Sequence, residues 1–358
     1  MNIEDRIARL RALLTEQVVD AALITKEENV HYFSGFRGDS TALLVTPERL
    51  ILVTDSRYTE QAAAEAPDYE IVEQRDGLYR KVAELATDAG VVSLGFEGNA
   101  LVYDTVVKLR ELLGEVSCDT ALNLDPLRQV KDADEIGLIR RACRIADEGF
   151  SHILSYIQPG MTEMEVAAEL EHFMRRAGSE RPAFQTIIAS GVRGSLPHGT
   201  ASDKVIARGE LVTMDFGAVC GGYHSDITRT ISVGRADARQ RELYDAVLTA
   251  QKRALAALRP GVTGVEVDRI ARESLAEKEL NQYFGHGLGH SLGLEIHEEP
   301  RLSKAGTTVL QENMLVTDEP GVYIPAWGGI RIEDTVLITR DGAEPLTHAP
   351  KEFIEICQ

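Results

Sequence analysis

Asp215 and Asp226 lie in the stretch Leu211–Val233, LVTMDFGAVCGGYHSDITRTISV, whose ends are rich in β-branched and apolar residues, as strands require. Cys220-Gly221-Gly222 between those ends supplies a tight turn. With the turn centred on Cys220-Gly221, residues whose numbers sum to 441 face each other, which puts Asp215 across from Asp226. Like charges opposed on one face of an antiparallel pair repel. The arrangement is costly unless a cation sits between them, and a hard divalent cation takes oxygen ligands. Alone, the pair reads equally well as two solvated surface aspartates. A second stretch, Val316–Ile338 (VTDEPGVYIPAWGGIRIEDTVLI), repeats the pattern around a loop containing Pro325, Trp327, Gly328 and Gly329. Centred on Ala326, its facing residues sum to 652, and Glu319 meets Glu333. Two such hairpins in one chain point to four carboxylates converging on two cations.

Between the hairpins, FGHGLGHSLGLEIHEEP carries His286, His290 and His297 among four glycines. So many glycines exclude a zinc-binding helix of the HExxH kind, whose two histidines must share one helical face. They suit a backbone that approaches a ligand closely. His198 lies upstream in the turn-rich segment GVRGSLPHGTAS. A single histidine is more often structural, but three within twelve residues and flanked by carboxylate hairpins favour a functional site.

The elements that must position these groups follow from an internal repeat. QPGMTEMEV (158–166) and RPGVTGVEV (259–267) match at Pro, Gly, Thr, Glu and Val, 101 residues apart. In each, Pro-Gly ends a helix, Thr162 or Thr263 caps the next, and Glu165 or Glu266 closes a capping box. A long helix is predicted before each copy, over 135–156 and 239–258. After each copy come a second helix, strands and a carboxylate hairpin. Two such halves facing each other bring four carboxylates to a central cleft.

At 358 residues the chain exceeds the size at which one core stops growing, so two domains are expected, 1–125 and 126–358. The first alternates helices and strands: helices over 3–14, 55–66, 78–86 and 103–113, and strands over 21–25, 42–46, 50–54, 70–73 and 91–96. The segment His31–Ser40 is predicted as a glycine-punctuated loop, whose His31, Arg37 and Asp39 either face solvent or reach a neighbouring site. Residues 122–135, polar and carrying Pro126, form the linker. The net charge of −19, with no basic block, argues against nucleic acid as a partner. No apolar run is long enough to span a bilayer. Cys118, Cys143, Cys220 and Cys357 are scattered without a CxxC, and the N-terminus reads as an amphipathic helix rather than a signal peptide. A reduced, cytoplasmic setting is expected.

The ordered set of two aspartates, a histidine and two glutamates resembles the pita-bread metallopeptidases that include aminopeptidase P (Xaa-Pro aminopeptidase) and prolidase (Xaa-Pro dipeptidase), over nearly the whole chain. The resemblance implies a creatinase-like α/β N-terminal domain and an α+β duplicated pita-bread catalytic domain. It further implies metal ligands Asp215, Asp226, His290, Glu319 and Glu333, with Asp226 and Glu333 shared between two ions. Glu319 is then the proton acceptor. His198, His286 and His297 handle substrate and protons, and Arg331 matches an arginine before the last ligand. Four carboxylates and one imidazole favour Mn²⁺, with Co²⁺ or Zn²⁺ as alternatives. Two such ions activate a water to attack the carbonyl before proline. The substrates implied are small peptides with proline second, and the assembly implied is a homodimer. One departure stands out: Asp318 occupies a position that is often apolar in the family, and strand alternation turns it away from Glu319.

Aminopeptidase is the expected activity, with dipeptidase close behind. A dipeptidase must also hold a free carboxylate, for which Arg37 is the candidate. The extra N-terminal domain argues against a methionine aminopeptidase. The complete ligand set argues against a creatinase-type hydrolase and against a non-catalytic binding module on the same fold.

Overall fold

A computed structural model describes residues 2–356, so Cys357 lies outside the described residues. The chain divides into two compact units, one ending at Arg128 and the other beginning at Gln129.

The first unit is built on a six-stranded sheet, in the order Glu70–Glu73, Leu50–Thr54, Ala42–Val45, Ala21–Ile24, Leu94–Glu97 and Ala121–Leu122. The central strands are buried along their length and read as continuous apolar runs, as sheets covered on both faces do. Where a loop was expected from His31, the helix Glu27–Ser34 runs instead, and Gly35 ends it at φ 82°. Its residues 29–34 are all buried, so it lacks the one-sided apolar spacing that marks a surface helix. The buried Glu97 carboxylate accepts the backbone N–H groups of Thr25 and Lys26 and fixes its start. The helix expected from Asp55 begins at Thr59. Downstream, the Arg37 N–H donates to Glu65, and Asp39 lies 3.6 Å from Arg57.

In the second unit the repeat becomes two helix pairs. Ala133–Tyr156 packs with Glu163–Arg176, and Ala238–Ala257 with Gly264–Ala276. Thr162 and Glu165 cap each other reciprocally. Glu266 reaches back to the Thr263 N–H at 2.7 Å. Gly149 lets the first pair approach closely, since a Cβ there would come within 3.1 Å of Leu170 and Met174. The first pair shares a core with the sheet Glu355–Ile356, Ile227–Val233, Glu210–Phe216 and Ile187–Ser190. The second pair shares another with the sheet Leu315–Asp318, Asp334–Thr339 and Gly342–Pro345, to which the hairpin Gly321–Ile324/Gly328–Arg331 adds.

The second hairpin keeps the expected register, with partners summing to 652 from Leu315↔Leu337 to Ile324↔Gly328. The first does not. Its turn centres on Gly221-Gly222, at φ 57° and 82°, and its partners sum to 443. A two-residue turn with positive φ at both positions favours two glycines over Cys-Gly. Asp215 therefore faces Thr228, and Asp226 lies diagonally from it. A slip of two residues preserves the face, so both aspartates still point the same way.

Candidate metal centre and family

The strand Glu210–Phe216 presents Asp215, and Asp226 precedes the strand Ile227–Val233. Gly217 lets the two backbones approach there, because a Cβ on it would come within 1.9 Å of the Ser225 carbonyl. The other half supplies Glu319 and Glu333 from the gap between two ladders of the second hairpin. The halves are joined beside these groups: the Glu333 N–H donates to the Thr228 carbonyl at 3.1 Å, and the Thr228 hydroxyl donates to the Glu333 carboxylate at 2.6 Å. Ligand atoms of Asp226, His290 and Glu333 all lie within 4.8 Å of one another. His290 Nε2 is 3.4 Å from Glu319 and 3.6 Å from Asp226. All five groups line one cavity of about 470 Å³, together with His198, His286, His297 and Arg331.

The donor set fits divalent cations. One oxygen each of Asp215 and Asp226 is buried and has no hydrogen-bond partner among the described residues. Burial, compounded by the other carboxylates, raises Asp226 and Glu333 well above the ordinary range, and burial lifts Glu319 to about 7. Without a cation, these acids hold protons they would otherwise release. Burial also lowers His290 to about 3, aided by the neighbouring His297, so its ring is neutral. Its Nδ1 donates to the Ser291 carbonyl at 3.0 Å, which leaves the Nε2 lone pair for a metal. Thr317 accepts from the His290 N–H and donates to Glu319, each at 3.0 Å, so one hydroxyl positions both groups.

A second network lines the same cavity. Arg331 donates to Asp215 at 2.5 Å, to the Tyr323 hydroxyl at 2.7 Å and to Thr228 at 3.0 Å. The His286 ring, pushed down to about 4 by burial and then by Arg331, is neutral. Its Nδ1 donates to the Gly287 carbonyl at 2.7 Å, so its Nε2 accepts from the Tyr323 hydroxyl at 2.8 Å. His297 stands edge-on to His290, with ring centres 4.4 Å apart, and is exposed to the cavity as His198 is. Burial and the adjacent Arg301 lower its pKa.

Three groups escaped the sequence reading. Thr228 was identifiable in principle, being two residues after Asp226 and hence on its face. Tyr323 and Arg301 gave no signal, since one tyrosine and one arginine among many carry no spacing. Arg301 pairs directly with His290 across the short ladder and lines the cavity. Asp318 is buried and faces away from the centre, and burial raises its pKa well above the ordinary range.

A cleft of four carboxylates and a neutral imidazole, edged by further histidines, defines a metal-dependent hydrolase site on a pita-bread fold. The chain belongs to metallopeptidase family M24, whose model matches residues 137–340, and the Creatinase/Prolidase N-terminal domain matches residues 6–130. It is 43% identical to an Xaa-Pro dipeptidase of Pyrococcus furiosus over 98% of this chain and all of that one. Among solved structures, an Xaa-Pro dipeptidase from Bacillus anthracis superposes with a TM-score of 0.97 at 43% identity, covering 99% of this chain and 100% of that one. An X-Pro aminopeptidase from Thermotoga maritima gives 0.91 at 38% identity, covering 98% of this chain and 99% of that one. Among the described residues, no helix is long and apolar enough to cross a membrane.

Proposed function

We propose that the protein is an Xaa-Pro dipeptidase, in place of the aminopeptidase expected from the sequence. The observation that carries this is Arg301, whose guanidinium lines the cavity from the strand opposite His290 and suits the free carboxylate after proline. The Pyrococcus and Bacillus relatives, both Xaa-Pro dipeptidases, support it. Arg37, the earlier candidate, is not needed for that role. The Thermotoga relative keeps aminopeptidase as the second reading.

In this reading Asp215, Asp226, His290, Glu319 and Glu333 hold two divalent cations, with Mn²⁺ preferred. Bound there, the ions supply Lewis acidity and a water of lowered pKa. Glu319, a carboxylate at the edge of that donor set, is the group suited to accept the water's proton. Neutral His297 at the cavity mouth donates a hydrogen bond to the carbonyl oxygen as it gains charge. Arg331, bonded to both Tyr323 and Asp215, holds the cavity wall that carries His286 beside the ligands. His198 helps position the peptide.

The test is hydrolysis of Gly-Pro beside Gly-Pro-Gly-Gly by metal-stripped protein given back Mn²⁺, Co²⁺ or Zn²⁺. Preferential cleavage of the dipeptide is expected. Preference for the tetrapeptide would instead establish the aminopeptidase.

A further inference from the structure

The two copies of the internal repeat differ just after the capping threonine: Glu163 follows Thr162, and Gly264 follows Thr263. In the second copy backbone packs directly on the glycine. A Cβ on Gly264 would come within 2.1 Å of the Arg301 carbonyl, and the Val265 N–H donates to the Gly306 carbonyl at 2.8 Å. The first copy makes the matching contact, from the Met164 N–H to the Ser202 carbonyl at 3.1 Å, but sets a completely buried carboxylate beside it. One Glu163 oxygen accepts from the Ser190 N–H at 2.7 Å and the Ser190 hydroxyl at 2.8 Å. Lys204 donates to that same hydroxyl at 2.8 Å, which leaves its proton for Glu163. The other Glu163 oxygen accepts from the Ser202 hydroxyl at 2.7 Å, the Ser202 N–H at 3.2 Å and the Arg193 guanidinium. Both ends of the segment 190–202 thus meet at one side chain. Within the segment, Arg193 reaches on to the Thr200 carbonyl at 2.8 Å, and Arg331 donates to the Pro197 carbonyl at 3.2 Å. His198 stands between those two carbonyls and lines the cavity.

We propose that Glu163 is a positioning residue for His198: by closing the segment 190–202 on itself, it fixes the loop that presents the imidazole to the substrate. The inference rests on the reading that His198 touches the peptide. The number of donors explains the residue type. Five of them converge on Glu163, and a carboxylate has two oxygens that both accept. Glutamine, of the same size, accepts at one oxygen alone, so one end of the segment would lose its anchor and its buried donors their acceptor. His198 is then no longer held in one place. Asp215, Asp226, His290, Glu319 and Glu333 lie outside the segment and keep their positions.

The experiment is steady-state hydrolysis of Gly-Pro and Gly-Pro-Gly-Gly by the Mn²⁺-loaded full chain, with folding checked by circular dichroism and Mn²⁺ affinity by calorimetry. On whichever peptide the parent prefers, Glu163→Gln should lower kcat/KM at least ~10-fold, since small misplacements remote from the chemistry have effects of that order. The loss should divide between KM and kcat as it does in His198→Ala, and Mn²⁺ should bind within about twofold of the parent. The double variant should be no worse than His198→Ala alone, because Glu163 acts only through that ring. A general loosening of the fold would add to the His198 loss instead. Ser202→Ala removes one bond at one end of the segment and completes the same cycle, with a smaller loss, should Glu163→Gln fail to fold. Parent-like kinetics in Glu163→Gln, additive losses in the double variant, or weakened Mn²⁺ binding would each overturn the proposal. So would a His198→Ala variant that keeps kcat/KM within about twofold of the parent while Glu163→Gln loses it. If the parent cleaves neither peptide, the Xaa-Pro reading fails and this inference with it. If the parent cleaves one and His198→Ala loses that activity while Glu163→Gln does not, only the role of Glu163 fails.

Discussion

Arg301→Ala probes the choice between dipeptidase and aminopeptidase at one side chain. A charge-assisted hydrogen bond to a carboxylate contributes about 1.5–3 kcal/mol. The Arg301 side chain is 41% exposed and 3.7 Å from Glu299, which competes for it. Solvent screening and that competition reduce the figure to about 1–2 kcal/mol. At about 1.4 kcal/mol per decade, kcat/KM for Gly-Pro should fall roughly 5- to 30-fold. The decisive comparison is Gly-Pro amide, which presents the same scissile bond without the charge. Wild-type protein should cleave the amide more slowly than the acid by a similar factor, and Arg301→Ala should cleave the two nearly alike. Steady-state kinetics on both substrates, in both proteins, closes the cycle. An equal loss on acid and amide would refute the reasoning, because Arg301 would then act on the catalytic groups rather than on the substrate carboxylate.

Three further outcomes follow from the geometry. Asp226→Ala should abolish peptidase activity while leaving the circular dichroism spectrum unchanged, and retained activity would remove Asp226 from the ligand set. His297→Ala should bind Mn²⁺ as the parent does in calorimetry yet lose kcat by ~10²-fold or more; release of the metal would make it a ligand instead. The third concerns pH. In the metal-free chain, Glu319 is lifted from 4.5 to about 7, so its contribution to stability is full below 4.5 and lost as pH rises through 7. His290, lowered from 6.5 to about 3, contributes in the opposite sense, its share lost only as pH falls below 6.5 toward 3. Above 6.5 the carboxyl effect stands alone, so the metal-free Tm should drop between about pH 6.5 and 7.5. Saturating Mn²⁺ should remove that drop, and a metal-free Tm flat over this range would contradict the carboxylate electrostatics.

Local chemistry made much of this legible. The two Thr-x-x-Glu copies announced the helix starts, because a capping box needs only residues three apart. The loop around Ala326 placed Glu319 and Glu333 correctly, since the flanking strands allowed one centre. The Cys220-Gly221-Gly222 turn offered two centres, and only the backbone cost of positive φ distinguishes them. The helix Glu27–Ser34 was missed because burial on all sides erases the periodicity that reveals a helix. Arg301 and Tyr323 were out of reach for a different reason. Each acts on a residue many positions away, and only tertiary packing brings them together. For Asp318, alternation gave the direction of the side chain but not its company.

The seam between the two halves has a consequence for the lifetime of the protein. Asp215 and Asp226 come from one half, and His290, Glu319 and Glu333 from the other, so a cation bound among them acts as a rivet across the join. An ion present at a hundred times its dissociation constant would add about 2.7 kcal/mol to the assembled state. Without it, the facing acids push the halves apart unless they take up protons. Persistence of the chain against proteases would then track the free cation supply around it.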